Sequence, residues 1–280
     1  MRHSGLHMRL TTTVADVLKR AIEIKSSILQ CFFIMQDSKK YVEYSSEKSA
    51  EIAILRKHFS ALYVHGSYWI NLAGKRNNGW RAFHRELALA KDFLFTHMVI
   101  HPGAATGCKT KQEGIECLAR ALNKILAKEH DIKLILENAA HGKMTVGGDL
   151  NDFKMLLSLS DYPEKLSFCI DTAHAHSYGY DLLSPEGRTF FMQEIERCIG
   201  KERLALLHLN DTTQARGSFI DQHAAVGEGV LGNETLQYVM NHSLFQDKPL
   251  ILELPITYDE KQNEILLERV RSWEKEKESE

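Results

Sequence analysis

The stretch LALLHLNDTTQARGSFIDQHAAVGEGVLG, residues 204–232, begins with apolar residues fit for a buried strand. It then sets His208, Asp211, Asp221 and His223 within one short span. Imidazole and carboxylate are metal-ligating and proton-transfer groups, and other apolar runs in the chain end in the same way. His7 closes the first run and His65 the third. His101 closes the fourth, Glu137 the fifth and Asp171 the sixth, with His174 one helical turn further on. His208 closes the seventh, Asp221 and His223 follow in its loop, and Glu253 closes the eighth.

Each of these residues has an ordinary explanation when taken singly. A strand-end His is more often a hydrogen-bonded structural residue than a ligand, and a strand-end Asp or Glu often caps the next helix. Together the case changes. His65, His101, Glu137, Asp171, His174, His208, Asp221, His223 and Glu253 amount to five imidazoles and four carboxylates. Burying that many such groups unpaired is costly, and divalent cations remove the cost. The set exceeds what one tetrahedral ion can use. Asp171-x-x-His174 and Asp221-x-His223 each place two ligands close in sequence but pointing differently, as ions sharing a bridging carboxylate require. Imidazole and carboxylate without thiolate suit zinc, with manganese or iron as options. A multinuclear metal site follows.

The other histidines carry less. His58, His84, His97, His130 and His242 are expected in or near helices, in solvated or capping roles. His141 and His176 fall in loops near the strand ends. His7 is expected at the mouth, facing substrate and orienting a ligand.

The elements that must position these groups are legible in the hydrophobic pattern. LHM, ILQCFFI, ALYVHG, HMVIHP, KLILEN, LSFCID, LALLHLND and PLILEL have strand length. Segments of helical period lie between them. In KQEGIECLARALNKILAKEH, Ile115, Leu118, Leu122, Ile125 and Leu126 share one face. Eight strands alternating with eight helices, the strands apolar on both faces, predict an α/β chain folded as a (β/α)8 TIM barrel, a parallel eight-stranded barrel with outer helices. All strand ends would then open on one face. No GxGxxG follows the first strand, which counts against a dinucleotide fold.

Composition is compatible with this picture. The 280 residues are 44% hydrophobic and 26% charged, with no Gly/Ser-rich linker, so a single domain spanning 1–280 is expected. No apolar run spans a bilayer and no signal-type stretch opens the chain, so an intracellular protein, cytoplasmic or with DNA, is expected. Five Cys form no CxxC pair and read as reduced thiols, several in apolar segments. The tail RSWEKEKESE reads as a solvated helix end. A formal net charge of −2 carries no basic signature of a nucleic-acid binder. Divalent ions in one cleft could still make its local potential positive.

With these residues assembled, the chain resembles the endonuclease IV family of apurinic/apyrimidinic (AP) endonucleases. VHGSYWINLA, HPGAATG, LENAAHG, CIDTAHAHSYGYD, HLNDTTQARGSFIDQHAAVGEG and ILELP carry the resemblance over nearly the whole length. It implies a zinc-dependent DNA-repair hydrolase that cuts 5′ to an abasic site and leaves a 3′-hydroxyl. It also implies about three zinc ions: His65 and His101 on the first, Glu137 bridging to the second, Asp171, His208 and Glu253 completing the second, and His174, Asp221 and His223 on the third. Tyr68 matches a family tyrosine that inserts near the lesion, and Glu137 is the implied catalytic residue. Zinc lowers the pKa of bound water to about 7, which supplies a hydroxide to attack phosphorus. The implied partner is duplex DNA with abasic or 3′-blocked lesions, with no membrane, the chain acting as a monomer.

The DNA-contacting segments depart from the family. After the second strand the family has a polar loop with an Arg and a Trp that enters the duplex. Here MQDSKKYVEY offers Lys39, Lys40 and Tyr41. In the seventh loop Phe219, Ile220 and Gln222 stand where basic residues are common, which implies a weaker hold on phosphate. A competing reading is a metal-dependent sugar isomerase or epimerase of the xylose-isomerase-like barrels. Such an enzyme needs only the groups near Glu137, Asp171, His208 and Glu253, and has no use for His174, Asp221 and His223. A non-catalytic lesion binder is disfavoured because no ligand is missing.

Overall fold

Each apolar run forms a strand, and the strands pair in parallel, each with the next, until Leu6 of the first lies beside Leu252 of the last. The computed structural model describes residues 2–35, 38–44, 46–76, 79–128, 131–255 and 259–274. The strands are β1 (Ser4–His7), β2 (Ile28–Cys31), β3 (Ala61–His65), β4 (His97–Ile100), β5 (Lys133–Glu137), β6 (Ser167–Asp171), β7 (Leu204–His208) and β8 (Leu250–Leu252). They close a barrel in sequence order, the TIM barrel expected from the alternation. The outer layer is α1 (Val14–Glu23), α2 (Ser46–Leu55), α3 (Trp80–Asp92), α4 (Lys111–Leu126), α5 (Leu150–Leu159), α6 (Thr172–Tyr178), α7 (Pro185–Cys198), α8 (Gly232–Asn241) and α9 (Glu260–Arg271).

Local chemistry starts several of these helices. Thr13, Thr110 and Ser184 cap α1, α4 and α7 by accepting the amides of Asp16, Glu113 and Gly187. The predicted face of α4 (Ile115, Leu118, Leu122, Ile125 and Leu126) is buried against the barrel. No helix among the described residues is long and apolar enough to cross a membrane.

Two expectations are corrected. The structure has α6 in addition to the eight predicted helices, inserted between β6 and α7. Its sequence, TAHAHSY, has no apolar period to reveal it; it starts because the Asp171 carboxylate accepts the His174 amide at 2.8 Å. His97 is not a helix-associated residue. It opens β4 at the opposite end of the barrel from the candidate ligand side chains and stacks on Tyr63, with centroids 4.5 Å apart. His130 and residues 275–280 of the charged tail lie outside the described residues. Cys31, Cys169 and Cys198 are buried, while Cys108 and Cys117 are half-exposed.

The core has two parts. A large one fills the space between strands and helices. A smaller one fills the barrel itself, with Ile28, Tyr63, Val99, Ile135, Cys169, Leu206 and Ile251 in contact.

Candidate metal centre

The barrel interior sets the site's geometry by simple counting. Successive side chains of a strand alternate in direction, so residues i and i+2 face the same way. Two residues beyond Tyr63, Val99, Ile135, Cys169, Leu206 and Ile251 stand His65, His101, Glu137, Asp171, His208 and Glu253. Six strands thus each stack one ligand-type group directly above the inner apolar layer. His174 joins them from the first turn of α6, and Asp221 and His223 from the loop after β7.

The groups converge. His65, His101 and Glu137 have donor atoms within 4.8 Å of one another, and so do Glu137, Asp171, His208 and Glu253. The third expected trio is distributed differently, with His223 grouped with Asp171 and His174, and Asp221 with His101 and His174. His223 Nε2 still lies 3.7 Å from Asp221 Oδ1, so the trio adjoins. Cys169 also comes near Glu137 and His208. Burial pushes its thiol up to about 12, so it is a packing residue below the ligands.

Hydrogen bonds fix which atom each imidazole presents. His65 donates from Nδ1 to the Gly66 carbonyl at 2.9 Å, leaving Nε2 3.0 Å from Glu137 Oε2. His174 donates from Nδ1 to the Asn138 carbonyl at 2.9 Å, leaving Nε2 3.1 Å from Asp221 Oδ1. A neutral imidazole held this way points a lone pair at a carboxylate oxygen, itself an acceptor. Two acceptors face to face require a cation between them or a proton on the ring. His223 Nε2 is buried with no hydrogen-bond partner and lies 3.5 Å from Asp171 Oδ2. This donor set fits divalent ions.

The electrostatics agree. Burial by itself would raise the Glu137 carboxyl, but His208, His101 and His65 reverse it and hold the group well below its usual range. Burial likewise opposes ionisation of Glu253, and His208 and His7 hold it well below. Asp171 goes the other way: burial raises it, against His174 and His223. Burial pushes His101 down to about 4, which keeps it a neutral ligand. No Lys or Arg among the described residues forms an ion pair with Glu137, Asp171, Asp221 or Glu253.

Three positioning residues escaped the sequence reading. Gln30, fully buried, donates to Glu253 Oε1 at 2.7 Å and accepts from His208 Nε2 at 3.1 Å. It stands two residues beyond Ile28, so the same period-two step that marks the ligands would have found it. Asn210 donates to Asp171 Oδ2 at 2.5 Å and to Glu253 Oε2 at 3.1 Å. Asn138 brackets Asp171 through its amide, with Oδ1 accepting the Asp171 N–H at 2.6 Å. Both Asn follow a ligand within two residues, in LEN and HLN.

His7 lies where expected, with Nδ1 2.8 Å from Glu253 Oε1. His141 donates to the Phe219 carbonyl at 2.8 Å on the rim. His176 is buried on α6, with no hydrogen bond to any of the nine residues among those described. Asp211 answers a different need. Its buried carboxylate accepts the amides of Thr212, Gly227, Gly229, Leu231 and Gly232 at 2.8–3.1 Å. A Cβ on Gly229 would meet Asp211 Oδ1 at 2.3 Å, so only glycine lets that backbone approach. Asp211 also bridges Ala224 and so anchors the return of the Asp221–His223 segment.

The mouth is an open cavity of about 370 Å³ lined by His65, His101, His174, Asp221, His223 and Glu253, with Phe32 and Tyr68 at its edge. Tyr68 is 75% exposed and stacks toward His101. Tyr41 turns inward, its hydroxyl donating to buried Glu86 at 2.9 Å and its ring meeting Trp69 edge-on. Lys39 has a left-handed φ of 55° and lines the neighbouring cleft; Lys40 is exposed. Phe219, also left-handed at φ 60°, sets its ring on Tyr178 and against Gly142. Ile220 is exposed, and Gln222 accepts from Gln214 while lining the metal cavity.

Known proteins resemble this chain in sequence and fold. The model of the xylose isomerase-like TIM barrel family matches residues 26–276. A protein of Halothermothrix orenii named probable endonuclease 4 is 30% identical over 258 residues, covering 90% of this chain and 92% of its own. One of the same name from Chloroflexus aurantiacus is 30% identical over 280 residues, covering 97% and 98%. The crystal structure of endonuclease IV from Thermus thermophilus superposes with a TM-score of 0.80 at 25% identity, covering 98% of each chain.

Proposed function

The chain belongs to the endonuclease IV family of xylose isomerase-like TIM barrels, and on that footing we propose that it is a DNA-repair nuclease. Its activity is hydrolysis of the phosphodiester 5′ to an abasic site, leaving 3′-hydroxyl and 5′-deoxyribose phosphate ends. The observation that carries this reading is the junction of His174, Asp221 and His223 with the barrel ligands, through the 3.1 Å approach of His174 to Asp221 and the 3.5 Å approach of His223 to Asp171. A sugar isomerase on this scaffold needs Glu137, Asp171, His208 and Glu253 and gains nothing from the added trio.

The residues present would hold about three divalent ions, mainly zinc. His65, His101 and Glu137 would hold the first, Glu137 with Asp171, His208 and Glu253 the second, and His174, Asp221 and His223 the third. Such ions supply Lewis acidity toward phosphate and make water acidic enough to react near neutral pH. The chain's own groups do the rest. Glu137, ionised by its imidazole neighbours, would orient the attacking water. Gln30, Asn138 and Asn210 hold the carboxylates in register, and His7 steadies Glu253. Tyr68 meets the opened duplex at the mouth. We assign the whole chain to one such domain, acting as a monomer on DNA inside the cell.

The test is incubation of zinc-replete protein with a duplex carrying one abasic analogue, the product ends being resolved on a gel. Cleavage on the 5′ side with a 3′-hydroxyl is expected. An intact duplex would sink the reading, and turnover of a ketose–aldose pair would replace it.

A further inference from the structure

We propose that Arg9, in the loop after β1, is a DNA-binding residue that grips a backbone phosphate of the strand entering the metal cleft. The inference rests on the endonuclease reading and deepens it. Beside the metal cavity lies a second cleft of about 390 Å³, bordered by Arg9, Phe32, Ile34, Lys39, Tyr68 and Trp69. Arg9, Phe32 and Tyr68 line both, so the two spaces meet at these three side chains. A strand that presents one phosphate to the ligands and continues onto the aromatic shelf must pass Arg9.

The guanidinium is uncommitted. Its Nε is buried with no hydrogen-bond partner, and no carboxylate among the described residues pairs with it. The nearby acids are engaged elsewhere. Glu253 takes His7 and Gln30 on Oε1 and Asn210 on Oε2. Glu260 pairs with Arg20 at 3.4 Å, and Asp259 accepts the Gln262 amide as the cap of α9. What the loop itself requires of Arg9 is its backbone carbonyl, which accepts from Arg20 at 2.6 Å. A cation left unpaired beside a cleft of carboxylates is poised for an external anion. A phosphodiester matches the forked guanidinium donors. The seventh loop, with Phe219, Ile220 and Gln222, has no cation there, and Arg216 is paired with Asp181 at 3.0 Å.

Zinc-replete wild type, Arg9→Gln and Arg9→Lys are titrated with a duplex bearing a non-cleavable abasic analogue at several salt concentrations, and cleavage by the wild type is followed in parallel. Arg9→Gln is expected to weaken binding roughly ten-fold, the scale of one charged hydrogen bond. It also flattens the slope of log K against log salt by about 0.9, one phosphate contact. Arg9→Lys restores the slope, which a packing defect would not. Metal content stays at the wild-type value. If Arg9→Gln misfolds by circular dichroism, Arg9→Met, which keeps the aliphatic stem, gives the same readout. Unchanged affinity and slope in an uncharged variant, with wild-type cleavage intact, overturn the inference alone. A wild type that neither binds nor cuts overturns the endonuclease reading with it.

Discussion

His174 Nε2 lies 3.1 Å from Asp221 Oδ1, although 47 residues separate them in the chain. Neither sits on a barrel strand: His174 is carried by α6 and Asp221 by the loop that Asp211 anchors. The pair adds a further candidate group to those that the strand ends form. Asp221→Ala should therefore lower the bound metal by about one ion per chain and cut cleavage by more than about 100-fold, since even residues that only orient ligands cost 10–100-fold. Elemental analysis beside a gel assay measures both. Full metal content in the variant would remove Asp221 from the centre.

Glu137 faces His65 with one oxygen and His208 with the other, at 3.0 and 2.8 Å. Glu137→Gln keeps its size and removes the charge. Cleavage should be abolished with an unchanged circular dichroism spectrum. Turnover near the wild-type level would contradict its assigned role.

Removing the ions should destabilise the barrel, because four carboxylates then share one buried mouth with only imidazoles to balance them. A ligand held at about 1,000 times its Kd contributes about 4 kcal/mol. For a domain of this size a chelator should lower the Tm by on the order of 10 °C. Thermal scans with and without chelator, followed by zinc add-back, check this. An identical Tm in all three would mean that no ion couples to folding.

Asp211→Asn replaces an acceptor of five amides by a group that also donates. A loss of about 2–3 kcal/mol is expected in urea unfolding, the scale for hydrogen bonds to a charged group. The metal-content loss should resemble that of Asp221→Ala, because the anchored segment carries Asp221 and His223. A variant as stable as wild type would show that the loop is held by other contacts.

Ile220 is exposed beside the metal cavity, and Gln222 lines it. Ile220→Lys with Gln222→Arg should tighten binding to abasic duplex and steepen its salt dependence, by roughly 0.9 in slope for each phosphate gained. Titrations at several salt concentrations decide it. If both quantities stay put, this loop does not face DNA phosphates. Phe219 is left out because its ring and backbone already tie α6, the β5 loop and the β7 loop together.

The sequence by itself determined the barrel and marked the ligand-type residues that converge at its mouth. Buried parallel strands leave a plain record, because continuous apolar runs such as LALLH and KLILE end abruptly in ligand-type residues. Nine candidate ligands could be named because imidazole and carboxylate are out of place where burial dominates. The tertiary structure decided what local pattern does not encode. Closing the barrel placed Gln30 in the same layer as Glu137 and His208, where an amide looks ordinary in sequence but bonds two ligands in space. It showed His97 at the far end of β4, revealed α6, and made Asp211, a neighbour of the ligand-type residues in sequence, the anchor of a loop. Strand and helix formation depend on nearest neighbours along the chain. Which acceptor faces which donor depends on groups brought together by closure, and that information exists only once the eight strands have met.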